Sequence, residues 1–217
     1  MLLNKMHVVL ITSMLRPVRD YTVFTCDQRK EQTIRSIETV REKIPDSYII
    51  MIEGGDMEKS EESKFGGLVD HLYRTDVKNF NKSPGEATLL HRYLTSEHFK
   101  SLTRVDSVSK LSGRYYLNDE FHWDRFPVDR SIIDFVPIAW SGKPLYNTRY
   151  YRIPNKHLPN FITGLRRYLK SKDALTAHPD IEHCFYSHNI IVHNEVHSPK
   201  PLGVCGLITG TNQLAID

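Results

Sequence analysis

The sequence predicts an α/β protein, three layers deep, with helices on both faces of a mostly parallel mixed sheet. Two runs are apolar throughout, His7–Thr12 (HVVLIT) and Tyr48–Ile52 (YIIMI), as strands buried on both faces are. Between them Ile34, Ile37, Val40 or Arg41, and Ile44 recur at helical spacing, so strand, helix and strand follow in the order of a right-handed βαβ unit. The chain of 217 residues, 40% hydrophobic, is long and apolar enough for one substantial core.

Each element follows from local pattern. The first strand ends in the polar Thr12-Ser13 and opens into a loop through Pro17. The helix stops at Pro45-Asp46, because proline brings no amide hydrogen to it. The second strand ends at Glu53-Gly54-Gly55-Asp56, and the polar stretch Met57–Lys64 leads through Gly66-Gly67 to a third strand, Leu68–Tyr73, ending at Arg74-Thr75-Asp76. Asn79–Leu94 reads as a helix with Ala87, Leu90 and Leu94 on one face. Val105–Leu111 alternates apolar and polar residues, the pattern of a half-buried strand, and runs into Ser112-Gly113-Arg114-Tyr115-Tyr116. Ile132–Trp140 and Arg149–Ile153 read as strands around a turn at Gly142–Pro144. Leu158, Phe161, Ile162, Leu165 and Leu169 draw an amphipathic helix, Asp180–Ile191 a further helix, and Leu202–Ile208 a last strand. One domain over residues 1–217 is expected, with a nucleotide-type half to about residue 118 and a more irregular half from 119 onward. The end of the chain is read as that of a module within a longer polypeptide.

Composition excludes several classes. Twenty-nine Lys and Arg against 26 Asp and Glu give a net charge of +3, and the charges are interspersed, unlike the concentrated basic face of a dedicated nucleic-acid binder. Three cysteines without Cys-x-x-Cys spacing indicate neither a disulfide framework nor a zinc knuckle, so a reducing, cytoplasmic setting is expected. The run Val8–Ile11 is far shorter than the roughly 20 residues that span a bilayer, so no membrane span is expected. No Gly-x-Gly-x-x-Gly follows the first strand, no Gly-x-x-x-x-Gly-Lys-Ser/Thr occurs, and there is no His-Glu-x-x-His. Dinucleotide oxidoreductases, P-loop kinases and zinc peptidases are set aside.

In an open α/β sheet ligands bind beyond the carboxyl ends of the strands, which directs attention to Thr12, Ser13, Glu53, Asp76 and Ser112–Tyr116. Ser83-Pro84-Gly85-Glu86 has capping-box spacing; its plain reading is a well-started helix, and its sharper one adds Lys82 and free amides as a phosphate site. At Lys110-Leu-Ser-Gly-Arg-Tyr-Tyr, Gly113 allows close backbone approach to a ligand, Arg114 offers two parallel hydrogen bonds to a diphosphate and Lys110 a point charge. The plain alternative is a strand-end bulge with Arg114 salt-bridged to a carboxylate. Asp180 is placed as an N-cap with Glu182 in the first turn; alternatively Glu182 is a general base oriented by His183. The irregular spacing of His183, His188, His193 and His197 reads as surface histidine rather than a metal cluster.

Taken with the helix at Gln32–Ile37, the strand Ile49–Glu53, Asn81–Thr88, Lys110–Tyr116, Ile181-Glu182-His183 and the glycines Gly203, Gly206 and Gly210, the chain resembles glycosyltransferases of the GT-A fold. It is similar in particular to the short domains of large DNA viruses of algae, the chlorovirus type that glycosylates a capsid. The resemblance implies a nucleotide-sugar donor, a uridine diphosphate sugar, in the first half and a glycan or glycoprotein acceptor in the second. It implies that Thr12, Ser13 and Glu53 surround base and ribose, and that Lys82, Ser83, Lys110, Gly113, Arg114 and Tyr115 line the diphosphate. Glu182 is then the base, aided by His183, in an inverting displacement. The family's Asp-x-Asp motif for Mn²⁺ or Mg²⁺ is replaced here by Ser112-Gly113-Arg114. Either Arg114 supplies the missing positive charge, or a metal sits elsewhere, with Asp76 the best substitute ligand. A non-catalytic nucleotide- or carbohydrate-binding domain, and a nucleotidyltransferase or other sugar-nucleotide enzyme, are the rivals.

Overall fold

Strand β1 (Met6–Ser13) forms the axis of the sheet: Val8, Val9, Leu10 and Ile11 are all buried, Val8 and Leu10 towards one hydrophobic layer and Val9 and Ile11 towards the other. Each such burial contributes roughly 1.5–3 kcal/mol, so a strand apolar on both faces is stable only between two covering layers. β1 pairs in parallel with β2 (Ser47–Glu53) and β4 (Val105–Ser112), and β2 pairs in parallel with β3 (His71–Arg74). Beyond β4 lie β7 (Leu145–Pro154), which runs antiparallel, β6 (Ser131–Val136) and β8 (Val196–His197). The sheet of seven strands therefore has the order β3-β2-β1-β4-β7-β6-β8, with β7 alone reversed. The structure, a computed structural model, describes residues 6–17, 22–77, 82–139, 141–176, 180–207 and 214–216.

Helices α3 (Lys82–Leu94), α4 (Glu97–Ser101), α5 (Leu158–Leu169), α6 (Lys172–Thr176) and α7 (Ile181–Ser187) cover one face. On the other face pack α1 (Cys26–Lys43), Phe65 of α2 (Lys59–Gly66) and a small antiparallel sheet of β5 (Tyr115–Leu117), β9 (Val204–Leu207) and β10 (Leu214–Ile216). The expected halves share one sheet, since β4 of the first pairs with β7 of the second. Among the described residues no helix is long and apolar enough to cross a membrane.

Several elements depart from the sequence expectations. α1 starts at Cys26, where Thr25 and Gln28 cap each other's backbone, well before the apolar repeat begins. α2 arises from the polar stretch: Glu61 is buried because Arg16 and Lys30 pair with it, and no apolar period announces it. β3 is confined to His71–Arg74. β4 is buried on both faces along Ser107–Ser112, not half-buried, because its polar residues have partners: His7 Nδ1 lies 2.7 Å from Ser107 Oγ, and Ser109 Oγ lies 3.0 Å from the Tyr150 hydroxyl. α7 ends at Ser187, and Asn189 then takes a left-handed φ of 48°, which closes the expected longer helix. Gly203 and Gly206 serve the small sheet: a Cβ on Gly206 would stand 2.5 Å from the Arg114 carbonyl oxygen, and Gly203 has a φ of +80°. Asn79–Asn81, Trp140, Ile208 and Gly210 lie outside the described residues.

Candidate functional site

The carboxyl ends of β1, β2 and β4 adjoin one another, and a buried carboxylate stands at their centre. Glu53, the last residue of β2, is fully buried; its Oε1 accepts from the amides of Leu15 at 3.1 Å and Gly55 at 2.8 Å. Its Oε2 is buried with no hydrogen-bond partner among the described residues. Burial pushes the Glu53 carboxyl above its ordinary pKa, opposed by hydrogen bonds from Ser13, Gly55 and Leu15 and by the charge of Arg29. Thr12 and Ser13 are buried beside it, with Ser13 Oγ 3.5 Å from Thr33 Oγ1 of α1. Arg29, also from α1, donates to the Met14 carbonyl at 3.0 Å. Burial first, and then the charge of Arg114, lower its pKa to about 10.

Gly113 does allow a close approach, but the partner is the protein itself. Its amide donates to the Thr12 carbonyl at 2.8 Å, its carbonyl accepts from Thr33 Oγ1 at 3.2 Å, and a Cβ would stand 3.1 Å from both Thr12 O and Thr33 Oγ1. This contact locks β4, β1 and α1 together. Arg114 is partly exposed, and among the described residues it has no carboxylate partner, contrary to the salt-bridge alternative. Its guanidinium and that of Arg149 of β7 lie 5.7 and 5.5 Å from the centre of the buried Tyr115 ring.

Lys110 is wholly buried and not open to a ligand in this arrangement. Its Nζ donates to Ser112 Oγ and to the Thr148 carbonyl, each at 2.6 Å, and pairs with Glu86 of α3. Burial lowers its pKa; Glu86 and Glu182 raise it, and Arg114 lowers it further. Thr148 Oγ1 in turn donates to Glu182 Oε1 at 3.1 Å. Glu86, Lys110, Ser112, Thr148 and Glu182 thus form one connected polar chain between α3, β4, β7 and α7.

The capping box at Ser83 and Glu86 is not formed. Ser83 lies inside α3, where its Oγ accepts from the Ile181 amide at 3.1 Å and joins the starts of α3 and α7, while Glu86 has turned to Lys110. Lys82 opens α3; its side chain lies outside the described residues. Asp180 caps α7 as expected, accepting from the His183 amide at 3.1 Å. His183 does not orient Glu182. It is buried, with Nδ1 2.5 Å from Asp180 Oδ1 and Nε2 2.6 Å from Ser141 Oγ, because consecutive helical residues point in different directions. Asp76 lies apart from the β4 end, exposed beyond the edge strand β3 and paired with Arg92 at 2.9 Å. Among the described residues no three metal-ligating side chains converge at these strand ends. Arg29, Thr148 and Arg149 were not legible in the sequence, since each joins the site through a partner distant along the chain.

No protein-family model matches the chain, and no curated protein matches it. Among solved structures it is similar to the 4-diphosphocytidyl-2C-methyl-D-erythritol synthase of Anaerococcus prevotii, with a TM-score of 0.50 and 13% identity over 96% of this chain and 92% of that one. A glycosyltransferase involved in the glycosylation of the major capsid of PBCV-1 gives a TM-score of 0.47 and 10% identity over 90% of this chain and 81% of that one. What is shared at such identity is the fold, a GT-A-like α/β architecture with a mostly parallel sheet.

Proposed function

We propose that the chain is a glycosyltransferase that moves a sugar from a nucleoside diphosphate donor, a UDP-sugar, to a hydroxyl of a glycan or glycoprotein. The observation that carries this reading is that Arg114, at the end of β4 where the resembled family holds a metal, has no carboxylate partner among the described residues and shares the Tyr115 ring with Arg149 of β7. A departing diphosphate gains negative charge as the bond to the anomeric carbon breaks, and fixed cations at that point lower the barrier. Arg114, with Arg149 beside the same aromatic ring and Lys82 at the start of α3, is assigned to the diphosphate. Thr12, Ser13 and Glu53 are assigned to base and ribose; Glu53 Oε2, which has no hydrogen-bond partner among the described residues beyond the Ser13 hydroxyl near the carboxylate, suits a donor N–H or hydroxyl. Glu182 takes the proton of the acceptor hydroxyl as its oxygen attacks the anomeric carbon, and the diphosphate leaves with the bonding pair. Lys110 acts as a positioning residue, holding Ser112 and the Thr148 that orients Glu182.

Mn²⁺ and Mg²⁺ take oxygen ligands, and the end of β4 presents Arg114 beside an already paired Lys110, with Asp76 engaged by Arg92. These residues do not fit a divalent cation, so no step is assigned to one. Nucleotidyl transfer, which the same fold supports, is the second reading.

Release of nucleoside diphosphate from a panel of nucleotide sugars, with Mn²⁺ and with chelator, tests the assignment. Turnover that survives chelator, falls about 10²–10⁴-fold in Glu182→Gln, and loses donor affinity in Arg114→Ala is expected. Pyrophosphate release from nucleoside triphosphates alone points to nucleotidyl transfer. Donor binding without any release identifies a binding module, and undiminished turnover in Glu182→Gln removes the base.

A further inference from the structure

On the helical face three side chains of different chemistry meet. Cys184 of α7 and His188 just after it are one helical turn apart, and Asp173 comes from α6. Their ligating atoms, Asp173 carboxylate oxygen, Cys184 Sγ and a His188 ring nitrogen, all lie within 4.8 Å of one another. His188 Nε2 already lies 2.7 Å from Asp173 Oδ2. A second, independent observation points into the same place. Tyr168 of α5 is fully buried, and its hydroxyl has no hydrogen-bond partner among the described residues. Its ring stands edge-on to that of His188, 5.9 Å between centres. A buried hydroxyl without a partner is costly, and an ordered water on a bound ion satisfies it.

We propose that Asp173, Cys184 and His188 form a binding site for a thiophilic divalent cation, Zn²⁺ being the best match, with a water as fourth ligand hydrogen-bonded to the Tyr168 hydroxyl. Sulfur, imidazole nitrogen and carboxylate oxygen are the zinc ligand set, and an ion bound among them would draw the three atoms in to bonds of about 2.0–2.3 Å. The ion replaces the hydrogen bond between His188 and Asp173 and displaces the thiol proton to solvent. Bound there, the ion ties α6 to α7.

Titration of the untagged full chain with Co²⁺ is the test. One equivalent should develop thiolate-to-cobalt charge-transfer absorption, which Zn²⁺ abolishes by displacement. Cys184→Ser should lose that absorption, His188→Gln should weaken Zn²⁺ binding by at least about tenfold, and Tyr168→Phe should weaken it by about tenfold as an outer partner does. His188 is partly exposed, so His188→Gln tests the site even where Cys184→Ser folds poorly. Absence of a thiolate band in the unmodified protein, or Zn²⁺ bound equally well by His188→Gln, overturns the proposal.

Discussion

Lys110 shows how a residue picked out for its charge takes a different part once its surroundings are known. A lysine fully removed from solvent is held by a carboxylate, a hydroxyl and a carbonyl, which leaves none of its three hydrogens for a ligand. The pair with Glu86 adds little net stability, but deleting one member strands the other. Lys110→Met should therefore lower unfolding free energy by about 3 kcal/mol in urea titrations, and Lys110→Met combined with Glu86→Gln should restore more than half of that. Equal losses in the single and double variants would show that the two residues do not act as a pair. The strand-end rule and helix-start chemistry direct attention to Lys110, Arg114 and Glu182 in the sequence. Neither shows that Glu86 belongs to Lys110 rather than to Ser83, because spacing within a helix says nothing about a strand that passes beneath it.

At the level of elements, legibility followed periodicity. β1, β2 and α5 were readable because their apolar residues recur at the period of the structure they form. β4 was misjudged because its serines and Lys110 mimic a solvent face while bonding to His7, Tyr150 and Thr148. α2 was missed because its burial rests on ion pairs to Glu61, which leave no apolar trace. The small sheet depends on glycine: β9 lies so close to β5 that a side chain on Gly206 meets the Arg114 carbonyl at 2.5 Å and the Tyr115 ring at 2.5 Å. Gly206→Ala should cost about 1–3 kcal/mol and shift the backbone beside Arg114. Denaturant unfolding measures the first effect, and amide exchange at Arg114 and Tyr115 the second. Unchanged stability would mean that the two strands separate easily.

For the molecule as a whole, two buried groups pull the pH response in opposite directions. His7, packed against Trp123 and near Arg152, has its pKa lowered by burial from 6.5 to about 3. A depressed base contributes stability that is full above its unfolded pKa and is lost as pH falls, here from 6.5 towards 3. Glu53 has the opposite sign: its raised pKa gives stability that is full below the ordinary carboxylate range and declines as pH rises through its folded value. Between pH 7 and pH 4 the His7 contribution should fall by about 3 kcal/mol, at roughly 1.4 kcal/mol per unit. His7→Gln should lack that loss in urea titrations at the two pH values, and an identical loss in the variant would assign it elsewhere. The central place of β1 has a further effect in time. During synthesis at about 5–20 residues per second it emerges well ahead of β4. Yet His7 meets Ser107 only 100 residues later. For several seconds this strand, apolar on both faces, waits with the edge that β4 will cover still open.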